Sequence, residues 1–247
     1  RVSQFTSNNG ILMGCQHGLI DVYKKLNFSR EDFRGNKILT IGQDFNAYHD
    51  FEPHVLPFCE IIINDPYLFI PEQRNFNLEK YLHNNFEALV QSLFSKIENK
   101  VNIVICTLSN EASELESPWF DLESKEYDKL YEYVNDVFKR LLGGARYKLW
   151  LIISPKNFDA RHDRFILTNY QYIESGAGLT YFDHNGAFIN RGEAIHLYSI
   201  MHDEARKSLI PHVIEMLQAR VIDPVKAIKP QQLYGHAQGD SYLLKFA

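Results

Sequence analysis

VNIVICT, residues Val101 to Thr107, is an almost continuous run of apolar residues, and this pattern decides the fold class. A strand with one face in water alternates between apolar and polar residues. A strand that stays apolar is typical of a sheet covered on both faces, as in α/β proteins. Similar runs precede and follow it at Cys59–Asn64 (CEIIIN) and Tyr147–Ser154 (YKLWLIIS). The three runs therefore predict the inner strands of one sheet.

Apolar residues between these strands recur at helical spacing. In residues 77–99 they are Leu78, Tyr81, Leu82, Phe86, Leu89, Val90, Leu93, Phe94 and Ile97. In the second segment they are Tyr127, Leu130, Tyr131, Val134, Val137, Phe138, Leu141 and Leu142, before the helix-ending pair Gly143-Gly144. The order strand, helix, strand, helix, strand predicts an α/β sheet with right-handed crossovers.

The remaining elements are shorter. Further strands or apolar runs are predicted at Lys37–Ile41, Arg164–Thr168, Tyr170–Glu174, Leu179–Phe182 and Ala194–Met201. Helices are predicted at Ile11–Leu26 and at Ser208–Val221, where Ser208 is the N-cap. We predict a single domain over residues 36–222, with an N-terminal extension over 1–35 and a C-terminal tail over 223–247.

The amino-acid composition argues against some classes of function. The chain has 247 residues, 45% of them hydrophobic, which is enough for a large core. Its net charge of −5 argues against a general nucleic-acid coat, which needs clustered Lys and Arg. Three scattered cysteines predict a reducing, cytoplasmic setting, and no membrane-spanning run or signal peptide is evident. No metal-ligand motif stands out, so we expect neither a metal nor a cofactor.

The stretch His162–Leu179 (HDRFILTNYQYIESGAGL) resembles the motif of phospholipase D-type phosphodiesterases, H-x-K-x-x-x-x-D followed by Gly-Ser. His162 stands at the His position, Arg164 at the Lys, Asn169 at the Asp and Gly176-Ala177 at the Gly-Ser pair. A His there attacks phosphorus, and a cation stabilises the charge of the transition state. Arg164 still grips phosphate, whereas Asn169 orients an imidazole without supplying charge. Binding therefore survives these replacements better than catalysis does.

Several polar residues are predicted to meet at the carboxyl edge of the sheet, where open α/β proteins bind ligands. They are Asp65 after the first inner strand, Thr107 and Ser109 after the second, Ser154 and His162 after the third, and Arg74 and Asn75 before the first long helix. Each also has a purely structural interpretation. Asp65 caps a turn, Arg74 is solvated, and Thr107 satisfies its own strand end. Their convergence favours a ligand site.

Two segments together resemble the C-terminal phospholipase D-like domain of MIT-domain-containing proteins. IINDPYLF followed by EQRNFNLEKY looks like that family's "DPY … Q-x-x-N-F" segment, and HDRFILTNYQYIESGAGLTYF looks like its "HDR … G-x-G-L-D-x-F" segment, which includes Gly176 and Gly178. Thr107 also fits. The resemblance covers about Lys37 to Phe182. It departs from the family at Ala177, where the family has Arg, and at Thr180, where it has Asp.

The resemblance implies a phospholipase D-like fold without hydrolysis, and a role in protein recruitment with phosphoinositide binding. Loss of the Arg at position 177 weakens the phosphoinositide expectation, and a microbial defence or signalling protein fits equally well. Our leading hypothesis is a binding module with a degenerate phosphodiesterase cleft, which recognises a phosphate-bearing or acidic ligand or partner. The alternative is a metal-independent phosphodiesterase or nuclease in which two His162 side chains meet across a homodimer. In a third interpretation His162 only braces the sheet edge.

Overall fold

The computed structural model describes residues 36–70, 77–98, 100–109, 118–121, 123–144, 146–155, 164–176 and 178–199, and positions 215, 217, 218, 222, 223, 226, 228, 229, 232–235 and 243. The strands are β1 (Asn36–Thr40), β2 (Glu60–Asn64), β3 (Val101–Leu108), β4 (Tyr147–Ser154), β5 (Phe165–Thr168), β6 (Gln171–Ser175), β7 (Ala194–Ser199) and β8 (Leu233–Gly235). They form one sheet in the order β1-β7-β6-β5-β2-β3-β4-β8. The predicted α/β class is confirmed.

The sheet has a parallel centre and antiparallel flanks. Strands β2, β3 and β4 run parallel, with Ile63 opposite Ile105 and Ile105 opposite Leu151. Strand β5 lies antiparallel to β2 and places Phe165 opposite Asn64, so its start adjoins the carboxyl end of β2. Strands β6, β7 and β1 continue the antiparallel half, and β8 closes the other edge.

Helices cover one face of this sheet. Helix α1 (Leu78–Leu82) continues through a π-helical turn (His83–Glu87) into α2 (Ala88–Phe94), and α3 spans Asp128–Leu142. The Asn77 side chain caps α1 by accepting the Lys80 amide at 3.0 Å. Gly143, with a φ of 71°, follows α3. Both predicted helices are therefore present, although the first ends earlier than its apolar spacing suggests.

Strand β3 shows why its sequence is apolar throughout. Ile103 and Ile105 pack into the core shared with the helices. Val104 and Cys106 face the opposite side of the sheet, where Leu217 of the C-terminal region packs among them. Burial on both faces is what the unbroken apolar pattern predicts.

One outer segment differs from its predicted structure, and two predicted helices lie wholly or mostly outside the described residues. Residues Leu179–Phe182 form no strand; only Phe182 makes an isolated bridge, to Phe188, because hydrogen bonds to side chains hold this backbone instead. The predicted helix at Ile11–Leu26 and most of the one at Ser208–Val221 lie outside the described residues. Within the described part of the chain, no helix is long and apolar enough to cross a membrane.

Candidate anion-binding site

Asp65 follows directly after β2 and is almost fully buried, with 1% of its surface exposed. Its Oδ1 accepts a hydrogen bond from the Tyr67 amide at 2.8 Å, which forms the turn predicted from the Asp-Pro sequence. Its Oδ2 accepts a hydrogen bond from the Leu179 amide at 2.7 Å. Asp65 therefore fixes the segment after β6 against the carboxyl end of β2.

Arg164 lies beside this carboxylate because β5 starts where β2 ends. Its Nη1 donates a hydrogen bond to the Gly176 carbonyl oxygen at 2.9 Å. Its Cζ lies 5.3 Å from the centroid of the Tyr67 ring, within the range of a cation–π contact. Its Nε is buried and has no hydrogen-bond partner. The guanidinium is thus anchored through Nη1, and its Nε–H donor has no acceptor.

Gly178 allows these groups to approach. Its φ is +88°, a conformation that residues with a Cβ rarely adopt. A Cβ at this position would lie 2.9 Å from Arg164 Cδ and 3.2 Å from Asp65 Oδ2. Any other residue would push the cation or the carboxylate aside. Glycine is therefore required here by both backbone conformation and space.

Burial raises the pKa of the Asp65 carboxyl above its ordinary value. Hydrogen bonds from the Leu179 and Tyr67 amides and the charge of Arg164 oppose that effect without cancelling it. The ionised carboxylate consequently depends on these three neighbours. When it is protonated, the positive charge of Arg164 has no compensating charge from Asp65.

A polar network behind the site holds the Leu179–Phe182 segment. The Tyr48 hydroxyl donates to the Leu179 carbonyl oxygen at 2.6 Å. Asn85 is fully buried; its Oδ1 accepts the Phe182 amide at 3.0 Å and its Nδ2 donates to the Phe182 carbonyl oxygen at 2.6 Å. Sequence reasoning missed Asn85, although it lies four residues after Tyr81 and four before Leu89 on the buried helix face. A polar residue in line with the buried face of a helix is expected to have a hydrogen-bond partner, and this pattern could have identified Asn85 from the sequence.

Thr107 and Ser109 lie at the same carboxyl edge, as predicted, but bond within the protein. Thr107 Oγ1 donates to the Pro66 carbonyl oxygen at 3.2 Å, so this hydroxyl has a structural partner, although the partner lies in the turn after β2 and not at the end of its own strand. The Ser109 amide donates to the Ser154 carbonyl oxygen at 2.7 Å, and the Ser109 hydroxyl is buried without a partner. Both residues lie at the carboxyl end of β3, the strand that pairs with β2 ahead of Asp65.

Asn169 is not part of this cluster. Its Oδ1 accepts the amides of Cys59 at 3.0 Å and Glu60 at 2.9 Å, which begin β2 at the opposite end of the sheet. Five residues of extended chain separate it from Arg164, or roughly 16 Å. The expectation that Asn169 orients a group beside Arg164 is therefore corrected: it caps the start of β2.

The structure thus brings together Asp65, Arg164, Gly176 and Gly178, places Thr107 against the neighbouring Pro66, and separates Asn169 from them. His162, Arg74 and Asn75 lie outside the described residues, so their places in the site stay predictions. Among the residues that are described, no three His, Cys, Asp or Glu side chains gather as metal ligands would.

Comparison with known proteins adds little to this geometry. No protein-family profile and no curated protein sequence matches the chain significantly. It is structurally similar to the phosphatidylserine synthase of Haemophilus influenzae Rd KW20, with 9% identity, a TM-score of 0.40, and coverage of 81% of this chain and 40% of that one. It is also similar to TrmBL2, an archaeal chromatin protein, with 10% identity, a TM-score of 0.29, and coverage of 82% of this chain and 59% of that one.

The chain therefore spans 40% and 59% of the lengths of these two proteins. Similarities at such scores establish neither a fold family nor an activity for it. The α/β sheet and the site geometry stand on the structure alone.

Proposed function

We propose that this chain is a binding module that holds an anionic group, a phosphate ester or an acidic side chain, at the guanidinium of Arg164. The observation that carries the proposal is the unpartnered, buried Nε of Arg164 beside the anchored Nη1. A buried donor without an acceptor costs about 1–3 kcal/mol. An anion oxygen that accepts from Nε removes that cost once the atoms that cover Nε in the free protein move aside, and a second oxygen can accept from the parallel Nη2.

The surroundings of Arg164 favour binding over chemistry. Both oxygens of Asp65 accept backbone amides, so this carboxyl is committed to holding the Tyr67 and Leu179 backbone. Asp65 also lies close enough for its charge and that of Arg164 to interact, while the Gly176 carbonyl oxygen holds the guanidinium in place. We assign Asp65 and Gly178 as positioning residues and Arg164 as the residue that contacts the ligand.

The finer assignments from sequence remain proposals. A phospholipase D-like fold and a relation to the MIT C-terminal domain belong with the binding hypothesis. The domain proposed over residues 36–222 must also include β8 (Leu233–Gly235), since that strand lies in the same sheet. The hydrolytic alternative depends on His162, which lies outside the described residues.

Calorimetric titration tests the proposal with three probes: inorganic phosphate, bis-p-nitrophenyl phosphate and acetate. We expect the wild-type chain to bind at least one of them, and Arg164→Ala to lose about tenfold or more in affinity, as for one charge-assisted hydrogen bond. Arg164→Lys keeps the charge without the planar fork and should bind with intermediate affinity.

Arg140→Ala is the matched control, since it removes an arginine whose Nη2 pairs with Glu87 on the helical layer at 2.9 Å. Its affinity should equal that of wild type. Equal affinities for wild type and Arg164→Ala, or no binding of any probe by the folded wild type, would overturn the proposal.

A further inference from the structure

Asp65 and Arg164 lie side by side at one end of the sheet. The antiparallel register of β2 and β5 pairs Asn64 with Phe165, so the next position along each chain brings Asp65 opposite Arg164. Asp65 Oδ2 and Arg164 Nε lie 3.2 and 3.3 Å from the place where a Cβ on Gly178 would be, and so border the same small space. Both groups are buried, and the Nε has no hydrogen-bond partner.

An anion that accepts from the Arg164 Nε enters this same space and therefore meets the Asp65 carboxylate. Two negative charges at such a separation repel each other, and the repulsion is stronger where the protein excludes water. A neutral, protonated Asp65 removes the repulsion and leaves the full charge of Arg164 to the ligand. Binding of the anion and protonation of Asp65 consequently favour each other.

The proton can be added to Asp65 without taking the site apart. Its Oδ1 accepts the Tyr67 amide at 2.8 Å and its Oδ2 accepts the Leu179 amide at 2.7 Å. A carboxyl oxygen has two lone pairs, so one remains on each oxygen for a proton while both amide bonds persist. Burial raises the pKa of Asp65 by more than the two amides and Arg164 lower it, which favours proton uptake.

The other titratable groups around Asp65 do not compete for this role among the residues that the structure describes. The phenols of Tyr48 and Tyr181 both act on or respond to the charge of Asp65, and burial raises the pKa of each, so neither ionises between acid and neutral pH. Glu193 Oε2 lies 3.6 Å from the place where a Cβ on Gly176 would be. Glu193 is exposed, however, so water and salt screen its charge.

We propose that the anion binds at Arg164 together with a proton on Asp65, so that the site takes up its ligand as the pH falls and releases it as the pH rises. This inference rests on the proposed function, because it assigns the regulation of the same site. It also favours one class of ligand. A phosphate ester keeps a negative charge in mild acid, whereas an acidic side chain loses its charge over part of the same range.

Calorimetric titration of the wild-type chain with bis-p-nitrophenyl phosphate between about pH 5 and pH 8 tests this inference, because the charge of the diester is constant there. If another of the three probes is the one that binds, the protons that it gains by itself are subtracted. We expect about tenfold or more tighter binding at the acid end. Repeating each titration in buffers with different ionisation enthalpies counts the protons, and we expect an uptake that approaches one proton per anion.

Asp65→Asn removes the titrating group, so the proton uptake should disappear and the affinity should no longer depend on pH. Glu193→Gln is the matched control, since it removes the exposed carboxylate near the site and should keep the uptake and the pH dependence of wild type. Wild-type binding that needs Arg164 but takes up no proton and has the same affinity at every pH would overturn this inference and leave the proposed function standing. Equal proton uptake by wild type and Asp65→Asn would also overturn it.

The carboxyl carbon signal of Asp65 provides a measurement that needs no substitution. In the wild-type chain, saturation with the probe should move the pH midpoint of this signal upwards by about one unit, as a tenfold change in affinity requires. A midpoint that stays where it is while the probe is bound would overturn the inference, whether or not Asp65→Asn folds.

Discussion

Asp65 Oδ2 accepts a hydrogen bond from the Leu179 amide at 2.7 Å, across 114 positions of sequence. This bond ties the end of the parallel half of the sheet to the segment that follows β6. The same segment supplies the Gly176 carbonyl oxygen that anchors Arg164. The orientation of the cation therefore depends on a carboxylate that does not pair with it directly.

Gly178→Ala should lower both stability and anion affinity. The new methyl group would meet Arg164 Cδ and Asp65 Oδ2 in a left-handed backbone conformation, so we expect a loss of about 2 kcal/mol or more in the free energy of unfolding. Gly192→Ala is the matched control, because its φ of +83° is similar but nothing lies within 4 Å of its Cβ. Urea unfolding of both variants checks this. Equal losses would show that the contacts around Gly178 contribute nothing beyond backbone strain.

Asp65→Asn should change the pH dependence of stability. Because the folded pKa of Asp65 is raised, the folded state binds a proton more readily than the unfolded state above about pH 4. The contribution of Asp65 to stability is thus fully present at acid pH and declines as pH rises through the raised pKa. The free energy of unfolding of wild type, minus that of Asp65→Asn, should fall from about pH 4 towards neutrality. Urea titrations across this range measure it, and a difference that rises with pH would contradict the assignment.

Asn85→Ala should destabilise the protein well beyond a surface mutation. It leaves the Phe182 amide and carbonyl without their buried partner, which we expect to cost about 3 kcal/mol. Asn84→Ala loses one half-buried bond to the Asp183 carbonyl oxygen and should cost about 1 kcal/mol. Thermal and urea unfolding compare the two variants. If they lose the same stability, the network around Asn85 does not hold the segment behind the site.

Asn169→Ala tests whether Asn169 acts at the start of β2, as the structure shows, or beside Arg164, as its place in the motif suggests. It removes the acceptor for the Cys59 and Glu60 amides, so stability should fall by about 1–3 kcal/mol. Anion affinity, measured by calorimetry on the folded variant, should stay at the wild-type value because Asn169 lies at the other end of β2. A loss of affinity as large as that of Arg164→Ala would place Asn169 back in the site.

The sequence predicts the central strands and α3 well, because buried strands and helices have a recognisable spacing of apolar residues in the sequence. The apolar runs at β2, β3 and β4 and the helical spacing of α3 are all found as expected. Strand β8 left no such pattern, since Leu-Tyr-Gly is too short to alternate. It is a strand because Tyr234 docks on α3, a long-range contact that local sequence does not record.

The candidate site was predictable in part for the same reason. The carboxyl-edge rule places Asp65 and Thr107 together, but the antiparallel pairing of β5 with β2 is what brings Arg164 to Asp65. The spacing of the phospholipase D-type motif suggests that Asn169 lies near Arg164. The strand predicted over Arg164–Thr168 implies the opposite, because an extended chain of that length holds its two ends far apart. The role of Gly178 follows from a φ value and two distances that only a structure provides.

Binding of an anion at Arg164 can be observed on the Arg164 Nε–H itself. In a nitrogen–proton correlation spectrum, this signal is assigned by its disappearance in Arg164→Ala. Addition of the tightest-binding phosphate probe should shift it saturably downfield, with the midpoint found by calorimetry, because a new acceptor engages a donor that has none in the free protein. An Arg164 Nε–H signal that stays fixed while the probe saturates the protein would show that the anion does not bind at this guanidinium.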